Sequence, residues 1–175
     1  AKEFLPLLKR KGYLPMLDRN TIVQFEQDLL QKKQLNQSID REANYIISVT
    51  EDTLINAQEN QFVNLISTAN IPVEHIYFKV QDEWLTDQGI LRQLQLLKER
   101  GFKIALDLNK LELSLNDASQ YGMVDLIKLG NSLVRTLMPS DQTRVLMKEF
   151  VNWITDLSIV VVMEGLTVNE HLDHI

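Results

Sequence analysis

The stretch GILRQLQLLKERGFKIALDL, Gly89–Leu108, decides the fold class of this chain. Apolar residues recur at helical spacing over 90–97, which predicts a helix with one buried face. Gly101 follows as a helix stop. The nearly continuous apolar run Phe102–Leu106 then predicts a strand that is covered on both faces. A helix that leads directly into a buried strand is the repeating unit of parallel α/β proteins.

The same alternation extends over most of the chain. Strand-like runs are predicted at Tyr13–Leu17, Thr21–Phe25, Tyr45–Val49, Ile76–Val80, Phe102–Leu106, Val124–Leu129 and Ile159–Met163. Further helical patterns cover 62–69 and 146–157. Asp18-Arg19-Asn20, between the first two runs, is typical of a hairpin turn, so we expect the chain to open with an antiparallel pair. No linker or repeat interrupts the pattern, which predicts a single α/β domain over residues 1–175.

Composition excludes several classes of function. The 175 residues carry 18 Lys and Arg against 24 Asp and Glu, a net charge of -6, so binding to duplex nucleic acid is not expected. Cysteine is absent, which excludes disulfides, thiolate zinc sites and cysteine nucleophiles. No apolar run reaches the ~20 residues of a membrane span, and the N-terminus lacks the features of a secretory signal. We therefore expect a cytoplasmic protein.

Six segments, taken in order along the chain, resemble the motifs of the EAL domain, the cyclic-di-GMP phosphodiesterase family of bacterial signalling. They are YLPMLDRNTIVQFEQDL (Tyr13–Leu29), YIISVTEDTL (Tyr45–Leu54), IYFKVQDEWL (Ile76–Leu85), LKERGFKIALDL (Leu97–Leu108), VDLIKLGNSLV (Val124–Val134) and LSIVVVMEGLTVNEHLDHI (Leu157–Ile175). The resemblance implies a TIM-like (β/α) barrel that opens with the antiparallel hairpin. Because a complete barrel takes ~250 residues, a chain of 175 residues implies an incomplete or truncated one.

EAL enzymes are understood to cleave a phosphodiester with two divalent metals and an activated water, which requires several oxygen ligands at the carboxyl ends of the strands. The resemblance places the retained site residues at Glu26, Asp107, Lys128 and Glu164. It places lost metal-ligand positions at Thr50, Lys79 and Leu108, where the family has asparagine, glutamate and a second aspartate. Leu30 stands where the resemblance implies an arginine that contacts the nucleotide.

These replacements predict a degenerate site that binds no metal or other cofactor and is not an active enzyme. A lysine among the former ligands would repel a divalent cation, and each lost carboxylate removes charge that holds one. Two interpretations of the remaining charges stay open. Lys79 can pair with Glu26 and Asp107 while Lys128 pairs with Glu164, or the side chains can simply point into solvent at the barrel mouth.

The resemblance therefore implies a non-catalytic regulatory domain that acts through contacts with another regulatory protein. One alternative is a catalytically dead receptor for cyclic di-GMP. Leu30 and the absence of glycine from the loop 109–115 count against it, so cyclic di-GMP is not the expected ligand. A second alternative is a residual phosphodiesterase that uses Glu26, Asp107, Lys128 and Glu164 with one metal. Homodimerisation is compatible with the family.

His171 and His174 are spaced as two ligands of one metal on a helix would be. No third ligand accompanies them in the sequence pattern, so an exposed polar helix face is the preferred interpretation.

Overall fold

The computed structural model describes residues 4–35, 43–56, 71–108, 121–137 and 140–165. Its centre is a sheet of five parallel strands, each hydrogen-bonded to the next in chain order. The strands are β1 (Tyr45–Ser48), β2 (Ile76–Gln81), β3 (Lys103–Leu108), β4 (Leu126–Leu129) and β5 (Val160–Met163). This architecture confirms the predicted α/β class and the position of all five strands.

Six helices accompany the sheet in the described part of the chain. They are α1 (Phe4–Lys11), α2 (Leu14–Gln34), α3 (Glu51–Asn56), α4 (Gln88–Glu99), α5 (Asn131–Leu137) and α6 (Asp141–Asp156), with short 3-10 turns at Val73–His75 and Asp82–Thr86. The predicted helices over 90–97 and 146–157 are confirmed by α4 and α6, and the one predicted over 62–69 lies outside the described residues. No described helix is both long and apolar enough to span a bilayer.

The two faces of the sheet have different roles because successive side chains of a strand point in opposite directions. One face carries the main core, where buried strand residues such as Phe78, Leu106 and Ile127 cluster with Leu94 of α4 and Phe150 of α6. The opposite face has a smaller buried cluster of Tyr77, Ala105 and Leu126. The next residues on that second face, toward the carboxyl ends of the strands, are Lys79, Asp107 and Lys128.

The predicted opening hairpin is wrong, because residues 14–34 form the long helix α2. Leu14, Asp18 and Ile22 are all buried, and their spacing of four residues is that of one helical face. Asp18, which the sequence pattern assigns to an exposed turn, lies on this buried face. On the same helix, the Phe25 ring packs edge-on against Tyr45 of β1 with 5.3 Å between centroids. The strand interpretation fails because short apolar runs fit both periods.

Local signals set the ends of α4. The Asp87 carboxylate accepts hydrogen bonds from the backbone N–H groups of Gly89 at 2.7 Å and Ile90 at 3.0 Å, as an N-cap does. Gly101 follows the helix with φ of +92°, and a Cβ there would lie 2.9 Å from the Val73 side chain. Glycine is therefore required at this turn, which confirms the predicted helix stop.

Candidate functional site

The carboxyl edge of the sheet brings four charged side chains together. Lys79 lies on β2, Asp107 on β3 and Lys128 on β4, with Asp107 and Lys128 directly opposite each other in the strand register. Glu164 follows β5, and its backbone N–H donates to the Leu129 carbonyl at 3.0 Å. Because all four strands are parallel, their carboxyl ends meet at one edge, the edge at which α/β proteins bind ligands.

These four residues, the charge cluster below, form a row of alternating signs. Lys79 Nζ lies 3.3 Å from Asp107 Oδ2, and Lys128 Nζ lies 4.0 Å from Asp107 Oδ1. Lys128 Nζ is also 2.9 Å from Glu164 Oε1. The Lys79–Asp107 and Lys128–Glu164 pairs are those that the ion-pair interpretation expects. Two ammonium groups and two carboxylates leave the cluster with no net charge.

Solvent reaches the members of the cluster unequally. The exposed fractions are 27% for Lys79, 17% for Asp107 and 18% for Lys128, whereas Glu164 is 50% exposed. Three of the four are therefore largely shielded and paired, which does not fit a set of side chains pointing freely into solvent. The side chain of Glu26 is not among those described, so its pairing with Lys79 stays a prediction.

Thr50, where the resemblance implies a lost metal ligand, is held by α2, in place of the predicted hairpin. Its backbone N–H and its hydroxyl both donate to Asp18 Oδ2, at 2.6 Å and 2.7 Å. Asp18 comes from α2 and is only 4% exposed. The Thr50 carbonyl in turn accepts from Leu54 N at 3.1 Å, so Thr50 directly precedes α3 and accepts its first backbone hydrogen bond. The Thr50 hydroxyl and backbone N–H therefore connect the end of β1 to α2.

Leu108, at a predicted ligand position, does not face the charge cluster. Leu108 is buried in the main core, on the face of β3 opposite to Asp107. Glu26 and Leu30 lie on α2 and not after a strand, and Leu30 is 45% exposed there. His171 and His174 lie outside the described residues.

Among the described residues, the donor chemistry of the edge does not fit a pair of divalent metals. Hard cations require several anionic or carbonyl oxygens around each ion. Here both oxygens of Asp107 face lysine ammonium groups, at 3.3 Å and 4.0 Å. Within the described part of the chain, no group of three or more histidine, aspartate or glutamate side chains is placed to hold an ion.

A pocket of about 650 Å³ adjoins the charge cluster. Pro6 and Lys9 of α1 and Leu17 of α2 contribute to one wall, and Lys79 and Trp84 contribute to another. The sequence analysis missed this pocket because it placed 13–25 in a hairpin. The four-residue spacing of Leu14, Asp18 and Ile22 is the signal that could have revealed the helix that borders it.

Tyr121 is the one described residue whose pKa clearly departs from its ordinary value. Burial raises the pKa of its phenol, and the negative charge of Asp82 raises it further. The ring packs edge-on against Trp153 with 5.6 Å between centroids. At neutral pH the phenol is protonated, so Tyr121 acts here as a packing residue.

Comparison with known proteins places this geometry in a family. The family model of the EAL domain matches residues 1–174. Similar solved structures include the EAL enzyme Bd1971 in its cAMP- and cyclic-di-GMP-bound form, with a TM-score of 0.77 and 13% identity. The FimX EAL domain of Xanthomonas citri in complex with cyclic di-GMP gives a TM-score of 0.80 at 10% identity. The manganese and cyclic-di-GMP complex of Klebsiella pneumoniae BlrP1 gives 0.72 at 20%.

At these identities, the structural likeness supports the fold alone. The matched regions cover 98%, 99% and 91% of this chain, in the same order. This chain spans 47% of Bd1971, 68% of the FimX domain and 40% of BlrP1. No curated protein sequence matches it significantly.

Proposed function

Because the chain belongs to the EAL domain family, we propose that it is a non-catalytic regulatory member that acts through contacts with a partner protein. The observation that carries the proposal is the Lys79–Asp107 ion pair, with 3.3 Å between Nζ and Oδ2. Lys79 stands where the family resemblance implies a carboxylate ligand, and its ammonium lies against one of the few carboxylates that remain. A fixed positive charge thus takes the place of a metal ligand.

The electrostatic cost of a metal at this edge supports the proposal. Two unit charges 4 Å apart interact by about 4 kcal/mol near a protein surface. A divalent cation beside Lys79 would therefore meet a repulsion of several kcal/mol. Asp107 and Glu164 could offset this repulsion only by giving up their present ion pairs. Two-metal phosphodiester hydrolysis requires the opposite arrangement, in which carboxylates gather the ions.

In this proposal, the charged and polar residues at the carboxyl edge stabilise the domain and do not bind a metal. The charge cluster keeps the carboxyl edge of the sheet neutral and ordered without an ion. Asp18 and Thr50 hold α2 against the end of β1. A domain that keeps its scaffold but lacks the ligands of its chemistry retains its surface as a means of recognition, although the fold alone does not fix a function.

A turnover assay with cyclic di-GMP tests the proposal. The chain is incubated with the nucleotide in Mg²⁺ or in Mn²⁺, and the linear product is quantified beside an active EAL phosphodiesterase. We expect no product above the no-enzyme rate in either metal. Metal-dependent turnover would contradict the proposal and would favour the residual one-metal phosphodiesterase through Glu26, Asp107, Lys128 and Glu164.

A receptor for cyclic di-GMP is the second candidate function. It is favoured by the cyclic-di-GMP complex of the FimX EAL domain, which shares the fold at a TM-score of 0.80. The pocket beside Lys79 also offers room at the carboxyl edge. Leu30, which is exposed on α2, counts against this candidate because it has no positive charge that could bind a phosphate of the nucleotide. Calorimetric titration separates the candidates: micromolar binding without turnover supports the receptor, and no heat supports the protein-binding regulator.

A further inference from the structure

Helix α1 is held to the rest of the domain by few described contacts. Of its six described side chains, Pro6 to Lys11, five are exposed and only Leu8 is half-buried. Even Leu7, a large apolar residue, is 43% exposed. Because burial of apolar area is the main force that holds a helix in place, these side chains give α1 little attachment.

Helix α2 is attached much more firmly. Leu14 and Ile22 are buried, at 7% and 0% exposure. The buried Asp18 carboxylate accepts two hydrogen bonds from Thr50. A helix whose described side chains are mostly exposed is thus followed directly by a firmly attached one.

The junction between the two helices is a glycine turn. Gly12 has φ of +68°, and a Cβ at this residue would meet no atom within 4 Å. Gly12 N donates to the Lys9 carbonyl at 3.1 Å, and Tyr13 N donates to the Leu8 carbonyl at 3.0 Å, which is the Schellman ending of a helix. Glycine can change its backbone angles here at low cost, and the space around it is open.

A single ion pair ties the described side chains of α1 to the far side of the pocket. Lys9 Nζ lies 3.7 Å from Glu51 Oε2, at the start of α3. The two side chains are 61% and 39% exposed. Ion pairs this open to solvent contribute little and are screened by salt, so the closed position of α1 is weakly held.

Helix α1 borders the pocket beside the charge cluster, so a movement of α1 would change access to that pocket. Pro6 and Lys9 line the pocket of about 650 Å³ that also reaches Lys79 and Trp84. We propose that α1 is a lid, hinged at Gly12 and latched by Lys9–Glu51, that controls access to this pocket. A regulatory role for the lid rests on the proposed function, whereas the opening itself does not depend on whether the domain is catalytic.

The latch can be tested by reversing its charges in a chain with one tryptophan. The sequence has two, and Trp153→Phe leaves Trp84 as the only reporter, in the wall of the pocket. In this background Lys9→Glu sets two carboxylates against each other, and the double variant Lys9→Glu/Glu51→Lys restores an opposite-charge pair. Acrylamide quenching of Trp84 fluorescence measures access to the pocket.

Losing the ion pair and adding repulsion should shift the opening equilibrium roughly three- to tenfold. We expect stronger quenching in Lys9→Glu and a return to the parent value in the double variant. Hydrogen exchange should quicken by a similar factor at the α1 amides and stay unchanged over 14–22.

Unchanged Trp84 quenching and unchanged hydrogen exchange of α1 in Lys9→Glu would overturn the proposal that α1 is a lid. Quenching that rises but does not return in the double variant would overturn Lys9–Glu51 as its latch. Turnover of cyclic di-GMP would contradict the proposed function and leave both readouts as they are.

Discussion

At the carboxyl edge of the sheet, the Lys79 ammonium lies against Asp107, and Lys128 continues the row to Glu164. These side chains were predictable from sequence because the family resemblance assigns their positions and because each one stands on or directly after a strand that the apolar pattern locates. Their mutual pairing was one of two open interpretations, because a residue's position along a strand does not show which neighbour it contacts.

The first residue-scale prediction concerns Lys79. Replacing it by Met removes the partner of a largely shielded carboxylate while keeping the length of the side chain. We expect the free energy of unfolding to fall by about 1–2 kcal/mol, less than for a fully buried pair because Lys79 is 27% exposed. Urea denaturation measures the change, and the exposed Lys148 of α6, also changed to Met, is the control. A loss no larger than that of the control would mean that the pair is solvated and unimportant.

The second prediction concerns the hydrogen bonds between Asp18 and Thr50. They are 32 residues apart in the sequence, so only the tertiary structure reveals their contact. Asp18→Ala should cost about 2–3 kcal/mol, because two partly buried Thr50 donors lose a charged acceptor. Thr50→Val removes one of the two hydrogen bonds and should cost less. Equal stability of Asp18→Ala and the parent chain in urea would show that α2 is not anchored here.

The third prediction concerns the contribution of Tyr121 to stability at alkaline pH. Burial and Asp82 raise its pKa above the ordinary value of 10.0. The folded state thus holds the phenolic proton more tightly than the unfolded state does. Its contribution is fully present below pH 10.0 and is lost as the pH rises through the folded pKa. In Tyr121→Phe, the loss of stability as the pH rises above 10.0 should be smaller. Identical pH profiles for the two chains would rule out this role of the phenol.

At the scale of elements, the five described strands were predictable because each forms a short apolar run between stop signals, including the partly exposed edge strands β1 and β5. Helix α4 was predictable from its periodicity and from Gly101. Helix α2 was not, since its buried face contains Asp18, and a polar residue between two apolar runs also fits a turn. The partner that makes its burial favourable, Thr50, lies on another element. A family motif read as a hairpin reinforced the wrong assignment.

A proline substitution at Asn20 distinguishes directly between a helix and a hairpin in this segment. It sits in the predicted turn, where proline can be accommodated, but in the structure it lies in the interior of α2. Asn20→Pro should therefore cost about 3 kcal/mol or more, through a lost backbone hydrogen bond and a clash with the preceding turn. Asn20→Ala, which suits an exposed helix position, is the control. Circular dichroism and urea unfolding give the answer, and a proline variant as stable as the alanine variant would restore the hairpin.

At the scale of the whole molecule, the family and the parallel α/β scaffold were accessible from sequence because six weak motifs occur in order. The pocket and the lid were not, since both depend on how α1 and α2 lie across the ends of β1 and β2. We propose that the carboxyl edge of the sheet is neutralised by lysines and does not collect divalent ions.

Anomalous diffraction from a crystal soaked in Mn²⁺ shows whether this edge binds divalent ions. We expect no anomalous peak within coordination distance of the Asp107 carboxylate, with Lys79 still paired to it. One or two manganese ions bound to Asp107, with the Lys79 ammonium displaced, would contradict this proposal.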